Sequence, residues 1–197
     1  LPAEVSVDSG ESKNTTIDIA NDGNTPLNAS LAIDDEDFVL PESINVSAES
    51  SESVDIEFTP SEDNGTVSPD LTIDPDHPAL SPTDVPVVGT VTERSVDIRS
   101  DTVEFGNTTV GENATTAVIV DNTGTTTEEF DVSTNDSTNF TLESDDESFT
   151  LEPGDSEYLT PVANLTDAGD VTAKLTVENE TETTVNDTAT VTATGQE

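Results

Sequence analysis

The 197 residues include 44 acidic but only four basic side chains, which gives a formal net charge of −40 at pH 7. Such a charge excludes binding to nucleic acid and to anionic membranes, because both require clusters of lysine and arginine. The absence of cysteine excludes disulfides and thiol chemistry, and no apolar run approaches the roughly 20 residues of a membrane span.

Alternating apolar and polar residues predict short β-strands along the whole chain. In chain order they include residues 16–19, 54–58, 116–120, 171–177 and 185–193. In the second of these, Val54, Ile56 and Phe58 alternate with acidic residues and share one face. Turn signals separate the strands at intervals of about 8–12 residues, and no segment keeps a helical period. We therefore predict an all-β sandwich.

The chain contains two copies of one pattern. Residues 10–23 match residues 111–124 at an offset of 101, and both segments end in Asn-x-Gly, where we expect a turn with glycine at positive φ. Further matches, at offsets of 102, 104 and 106, are Phe38 with Phe140, Leu71 with Leu175, and Val88-Gly89 with Thr194-Gly195. Because the offset grows slowly, we predict one fold repeated with small loop insertions.

The size of each copy, about a hundred residues, fits one β-sandwich domain. We predict tandem domains at residues 1–92 and 93–197, with the boundary near Glu93-Arg94. The link is too short for a flexible tether, so we expect a semi-rigid, end-to-end arrangement.

The first copy lacks the strand that opens the second. Copy two has 15 residues, from Val96 to Val110, before its Gly111, whereas copy one has nine before Gly10. The strand at 96–100 thus has no equivalent in residues 1–92. Either the visible chain starts partway through a longer array, or the vacant edge accepts a strand from a neighbouring subunit.

The high acidity has two explanations. Acidic, aromatic-poor chains are often disordered. Here, however, acids are interspersed with regular apolar positions, and the longest acidic run is Asp34 to Asp37. In salt of about 1 M the Debye length falls to roughly 3 Å, so neighbouring carboxylates barely repel one another. We favour adaptation to concentrated Na⁺, K⁺ or Mg²⁺ salt, which we expect to be required for stability.

Asparagines occur mainly in N-glycosylation sequons, which indicates a secreted protein. Of 14 asparagines, 11 precede x-Ser or x-Thr, where chance predicts roughly three or four. These candidates are Asn14, Asn28, Asn45, Asn64, Asn107, Asn113, Asn135, Asn139, Asn164, Asn179 and Asn186.

Residues suited to catalysis are scarce. The single histidine, His77, lies in a proline-flanked turn, and nucleophilic catalysis needs a base beside the nucleophile. Two acidic loops offer oxygen ligands for Ca²⁺ or Mg²⁺, but neither has the spacing of a calcium loop. These loops are Asp34-Asp35-Glu36-Asp37 and, as its counterpart in copy two, Glu143, Asp145, Asp146 and Glu147.

Paired carboxylates can hydrolyse glycosides, but only beside a cleft that holds the sugar. We expect the seven aromatic residues to anchor the core instead: Phe38, Phe58, Phe105, Phe130, Phe140, Phe149 and Tyr158. We therefore predict that the chain is not an enzyme, with no catalytic or cofactor-binding residues and no specific metal site.

Turn and strand motifs in both copies resemble the Hydin-type immunoglobulin-like repeat, also described as choice-of-anchor domains in prokaryotic surface proteins. Copy two has Val103-Glu104-Phe105-Gly106 and Val110-Gly111-Glu112, and copy one has Leu71-Thr72-Ile73-Asp74-Pro75 and Val87-Val88-Gly89. The resemblance implies two immunoglobulin-like sandwiches, each of seven or eight strands, used as spacers or binding modules. It implies no enzymatic activity.

Together these features predict a structural module of a haloarchaeal surface filament, pilus or surface layer, located outside the cell. The alternative is an adhesive or receptor-binding module, such as a halovirus spike or turret. We expect its partners to be other copies of itself or other surface or virion proteins, with no nucleic acid and no direct membrane insertion.

Overall fold

The computed structural model describes residues 3–143 and 146–197, which form strands and connecting turns without a helix. The prediction of an all-β chain is confirmed. The chain divides into two compact units, unit 1 from Leu1 to Glu93 and unit 2 from Arg94 to Glu197. Nowhere in the described ranges is there a helix of the length and apolarity that crossing a membrane requires.

Unit 1 is built from two sheets. Its strands are β1 (Ala3–Asp8), β2 (Lys13–Asn21), β3 (Leu27–Ile33), β4 (Phe38–Val39), β5 (Ser43–Val46), β6 (Ser50–Phe58), β7 (Gly65–Val67), β8 (Asp70–Pro75) and β9 (Thr83–Thr92). One sheet has the order β1-β9-β8-β3-β5, with β7 also paired to β9, and the other has the order β2-β6-β4. The pairing of β1 with β9 is parallel, whereas the remaining pairs are antiparallel.

Unit 2 repeats this plan. Its strands are β10 (Val96–Ile98), β11 (Thr102–Thr109), β12 (Asn113–Thr115), β13 (Val118–Asn122), β14 (Glu128–Thr134), β15 (Phe140–Leu142), β16 (Ser148–Leu151), β17 (Ser156–Leu159), β18 (Pro161–Asn164), β19 (Gly169–Asn179) and β20 (Asn186–Gln196). The main sheet has the order β11-β20-β19-β14-β16, and the opposing strands form two ladders, β10-β13-β17 and β12-β18-β15.

Prolines explain why the two units divide their strands differently. In unit 2, Pro161 lies opposite Thr116 and has no N–H to donate, so the ladder formed by β2 and β6 in unit 1 is split there. In unit 1, Pro69 separates β7 from β8, whereas β19 of unit 2 is continuous.

The core of each unit lies between its two sheets and contains apolar residues from both. In unit 1, Ile56, Phe58 and Leu71 are fully buried, and the rings of Phe38 and Phe58 stack with centroids 4.8 Å apart. In unit 2, Phe130, Phe140, Leu159 and Leu175 occupy the same role. The alternating apolar positions read from the sequence therefore face the core.

Tyr158 departs from the expectation that every aromatic residue anchors the core. It lies on the outward face of β17 with 64% of its surface exposed, because the next residue, Leu159, takes the inward position. Phe105 and Phe149 are only partly buried at the edge of the core.

Strand pairing corrects the predicted alignment of Val88-Gly89 with Thr194-Gly195 in the last strands of the two copies. Leu71 pairs with Val85, and its counterpart Leu175 pairs with Ala189. The final strands therefore keep an offset of 104, so the predicted alignment of Gly89 with Gly195, at 106, is wrong. The two glycines serve different needs: a Cβ on Gly89 would lie 2.6 Å from the Phe58 ring, and one on Gly195 would lie 2.3 Å from the carbonyl oxygen of Asp167.

The Asn-x-Gly turns also differ from expectation. Gly23 does not adopt a positive φ angle. Its N–H instead donates to the side-chain oxygen of Asn21 at 3.0 Å, and a Cβ there would lie 3.0 Å from that oxygen. Glycine thus allows a close approach to the asparagine side chain, and the turn uses no left-handed backbone at this residue.

Candidate functional site

Most sequon asparagines lie on the surface of the two units. Their amide nitrogens, the atoms that a glycan would modify, belong to exposed residues at nine of the 11 positions. These are Asn14, Asn28, Asn45, Asn64, Asn107, Asn113, Asn135, Asn164 and Asn186. They occur in both units, so both are suited to carry glycans.

Asn139 is half-buried and structurally engaged. Its side-chain nitrogen donates to Asp136 at 2.8 Å, and its oxygen accepts a long bond, 3.4 Å, from the Thr166 N–H. The hydrogen bond from Asn139 lowers the pKa of the Asp136 carboxyl. A glycan here would have to break the bond to Asp136.

Asn179 does not fit the predicted role of glycan acceptor. Only 1% of the residue is exposed, and its side-chain nitrogen donates to Glu128 at 2.7 Å. Its oxygen accepts from the N–H groups of Thr181 and Glu182 at 3.0 and 2.8 Å. The sequon therefore coincides with a buried turn, a role that the sequence pattern could not distinguish from an exposed acceptor.

The acidic loops are not equivalent, contrary to the sequence-based alignment. Residues 34–37 precede Phe38, whereas residues 143–147 follow Phe140, the counterpart of Phe38. The true counterpart of Asp35 is Asp136, since each accepts a hydrogen bond from the N–H two residues ahead.

Three carboxylates of these loops, those of Asp35, Asp37 and Asp146, accept hydrogen bonds from main-chain N–H groups. Asp37 is buried and accepts from the N–H of Ser61 at 3.0 Å. Among the residues described, no three of His, Cys, Asp and Glu come together as metal ligands, and Asp145 lies outside the described ranges. His77 is exposed, and its Nδ1 accepts from the Ala79 N–H at 3.2 Å, so it shapes a turn.

The first strand of unit 2, β10, lies between its two sheets. Val96 and Ile98 of β10 are buried, and β10 pairs antiparallel with β13. The Ile98 N–H also donates to a carboxylate oxygen of Asp187, on β20, at 2.7 Å. This strand therefore contacts both sheets.

Arginines on either side of β10 are held by carboxylates. Arg99 Nε lies 2.5 Å from Asp121 Oδ2, and Arg94 Nη1 lies 3.3 Å from Glu128 Oε2. The hydrogen bond from Arg99 keeps the pKa of Asp121 below its usual value. Two of the four basic residues of the chain thus serve to hold this strand.

Unit 1 has an open groove at the matching place. The second half of β2 is an edge, since no described strand pairs with it on the side away from β6. Beside it lies a groove of about 290 Å³ lined largely by apolar residues, including Ile19, Ala20, Leu27 and Ile73.

Comparisons with known proteins agree with this fold. The family model of the ASH domain (Abnormal spindle-like microcephaly-associated, ASPM-SPD-2-Hydin) matches residues 95–185, which lie in unit 2. This match supports the Hydin-type resemblance seen in the sequence. A search of the curated proteins found no match to the chain.

Several solved structures are similar in fold. The ASH/PapD-like domain 7 of human CEP192 is 20% identical, with 52% of this chain and 84% of that chain covered and a TM-score of 0.41. The Pseudomonas aeruginosa CupB2 chaperone is 13% identical, with 95% and 96% covered and a TM-score of 0.37. Protocadherin Gamma B7 extracellular cadherin domains 1–4 are 10% identical, with 99% of this chain but 49% of that chain covered and a TM-score of 0.61. The match to the cadherin domains supports an all-β sandwich fold.

Proposed function

We propose that the chain is a non-catalytic structural module of an extracellular haloarchaeal assembly, a filament, pilus or surface layer, with its two sandwiches end to end. The observation that carries the proposal is the placement of nine sequon asparagines on exposed surface of both units. Glycans are added to surface loops and strands of secreted proteins. A net charge of −40 adds support, since such a surface is suited to concentrated salt.

A second candidate is an adhesive or receptor-binding module, such as a halovirus spike or turret. Tyr158 favours this candidate, because 64% of its surface is exposed on β17. Strand β17 pairs with β13, and Asp121 on β13 accepts a hydrogen bond from Arg99. Tyrosine and arginine are enriched among the residues that dominate binding interfaces.

Peptide mass spectrometry of native material tests the proposed compartment. We expect glycan mass on several of the nine exposed asparagines and none on Asn179, whose buried amide serves as the internal control. An unmodified polypeptide mass throughout would remove the support for an extracellular location.

Electron microscopy of the same native material separates the two candidates. Ordered filaments or lattices would support the structural module. Isolated particles that bind cells without polymerising would favour the adhesive module instead.

A further inference from the structure

Four of the exposed sequon asparagines form two pairs across neighbouring strands. In unit 1, Asn28 on β3 lies directly opposite Asn45 on β5, and the Asn45 side-chain nitrogen donates to the Asn28 side-chain oxygen at 2.5 Å. In unit 2, Asn113 on β12 lies directly opposite Asn164 on β18, and the Asn164 nitrogen donates to the Asn113 oxygen at 2.6 Å. Each unit therefore has two candidate glycan acceptors at one place on its surface.

The two pairs are not copies of each other. The positions of the first pair are occupied in unit 2 by Glu129 and Thr150, which lie opposite each other on β14 and β16. The second pair joins β12 to β18, in the other layer of its sandwich. The same opposed arrangement thus occurs at two different places in the fold, so the repeat does not account for it.

Directly opposed residues leave room for one glycan. Neighbouring strands lie about 4.8 Å apart, and Cβ atoms of directly opposed residues lie about 4.5–5.5 Å apart. A glycan is a bulky group that projects from the surface. The first sugar on one amide would therefore occupy the space beside the other amide and exclude a second glycan there.

Hydrogen bonding distinguishes the two members of each pair. The side-chain nitrogens of Asn45 and Asn164 are already donors within the pairs. Those of Asn28 and Asn113 donate to no atom in the part of the chain that the structure describes, so a sugar can be attached there without disturbing the pair. Asn28 also lines a second groove, of about 670 Å³, to which Asn45 does not contribute. This groove gives the first sugars space on the Asn28 side.

We propose that each pair receives one glycan after the chain has folded, on Asn28 in unit 1 and on Asn113 in unit 2. The donor is an activated sugar, a glycosyl phosphate. The amide nitrogen forms a bond to the anomeric carbon, the bond from that carbon to the phosphate oxygen breaks, the phosphate leaves with the electron pair, and the nitrogen releases one proton. The unmodified partner keeps donating its hydrogen bond to the glycosylated side chain. The inference rests on the proposed function and names the acceptors that it uses.

Cleavage of the native protein after its four basic residues tests this inference. The fragment 14–94 contains both members of the first pair, and the fragment 100–174 contains both members of the second. Mass spectrometry of the intact fragments, followed by fragmentation, counts and locates the glycans on single molecules. We expect glycans on Asn28 and Asn113 and none on the asparagines opposite them.

Removing a sequon without changing its asparagine tests the competition directly. Ser30→Ala ends the sequon of Asn28 but keeps the side chain that pairs with Asn45. Both side chains are exposed, so they can exchange donor and acceptor once Asn28 is not modified, and we expect the glycan to move to Asn45. Thr16→Ala, which ends the sequon of the unpaired Asn14, is the matched control and should leave Asn45 unmodified. Both variants should match the parent protein in circular dichroism.

The outcomes that overturn the inference are distinct from those that overturn the proposed function. Glycans on both members of a pair in one molecule, on Asn45 or Asn164 in the parent protein, or only outside the pairs would overturn the inference. An unmodified Asn45 in Ser30→Ala would show that the glycan on Asn28 is not what excludes a second one. All of these results still show a glycosylated protein and leave the proposed compartment supported. A chain unmodified at every sequon would remove that support, and this inference with it.

Discussion

Asparagine occupies two kinds of position in this chain. Nine sequon asparagines are exposed, whereas Asn21 and Asn122, which lack sequons, are buried. Asn21 donates to the carbonyls of Thr25 and Val46 at 2.8 and 3.1 Å, and Asn122 makes the matching bonds to Thr126 and Leu151. The sequence indicates a turn at both places, but it cannot show the buried amide, because one partner carbonyl lies 25 or 29 residues away.

Thr108 provides a test of how much a buried hydroxyl group without a hydrogen-bond partner lowers the free energy of unfolding. The residue is 3% exposed, and its Oγ1 has no hydrogen-bond partner among the described residues. Its counterpart in unit 1 is Val7. Thr108→Val removes the unpaired polar group at nearly constant volume, so we expect the free energy of unfolding to rise by about 1 kcal/mol. Thermal denaturation measures the gain, and Val7→Thr should lower stability by a similar amount. A destabilised Thr108→Val protein would contradict this account.

Glu49 tests the cost of a left-handed backbone. Its φ angle is 54°, whereas its counterpart in the matching turn of unit 2, Gly154, has a φ of 80°. A side chain in this region costs about 1–2 kcal/mol, which glycine avoids. Glu49→Gly should therefore stabilise the protein by about 1 kcal/mol, after the entropy of the extra glycine in the unfolded chain is subtracted. Chemical denaturation gives the value, and Gly154→Ala is expected to move stability the opposite way. Loss of stability in Glu49→Gly would show that its backbone is not strained.

Strands and their pairing were predictable to different extents. The repeat itself predicts which strands are equivalent, because matched motifs such as Gly10 and Gly111 keep a nearly constant offset. The parallel pairing of β1 with β9 is not encoded locally, since the partners are more than 80 residues apart. The sequence predicted a strand at 96–100 and its absence from residues 1–92. It did not predict that Asp121, Glu128 and Asp187 hold this strand, because these carboxylates converge from three different strands.

Like charges at the junction of β14 and β19 test electrostatics between elements. Repulsion by Glu129 raises the pKa of Glu180, which follows the end of β19. The folded state therefore retains this proton to higher pH than the unfolded state, and the associated stability is lost as pH rises through the folded pKa. At pH 7, Glu180→Gln should raise the melting temperature.

The pH dependence of that gain is the decisive measurement. Below about pH 4 the parent side chain is itself protonated, so the advantage of Glu180→Gln should disappear. Glu152→Gln, at an exposed turn position between β16 and β17, controls for the loss of one negative charge. An equal gain from both variants would mean that net charge, rather than the pair, sets the effect.

The two units carry equal charge but unequal cores. Unit 1 has 21 acidic residues and one basic residue, and unit 2 has 23 and three, so each has a net charge of −20. The buried apolar cluster of unit 1 contains 11 described residues, whereas that of unit 2 contains 18 and includes Val96 and Ile98 of β10. Equal self-repulsion is therefore opposed by less apolar burial in unit 1.

This imbalance predicts a two-step response to dilution of salt. On transfer from multi-molar KCl to about 0.1 M, screening within each unit weakens as the Debye length rises from below 3 Å to about 10 Å. We expect the strand signal in circular dichroism to fall in two stages, with unit 1 unfolding at the higher salt concentration.

Hydrogen exchange on peptides from each unit assigns the stages, and titration to about pH 4 in dilute buffer should restore structure by neutralising carboxylates. An unchanged spectrum in dilute buffer would contradict salt dependence, whereas loss of unit 2 first would show that core size does not decide the order.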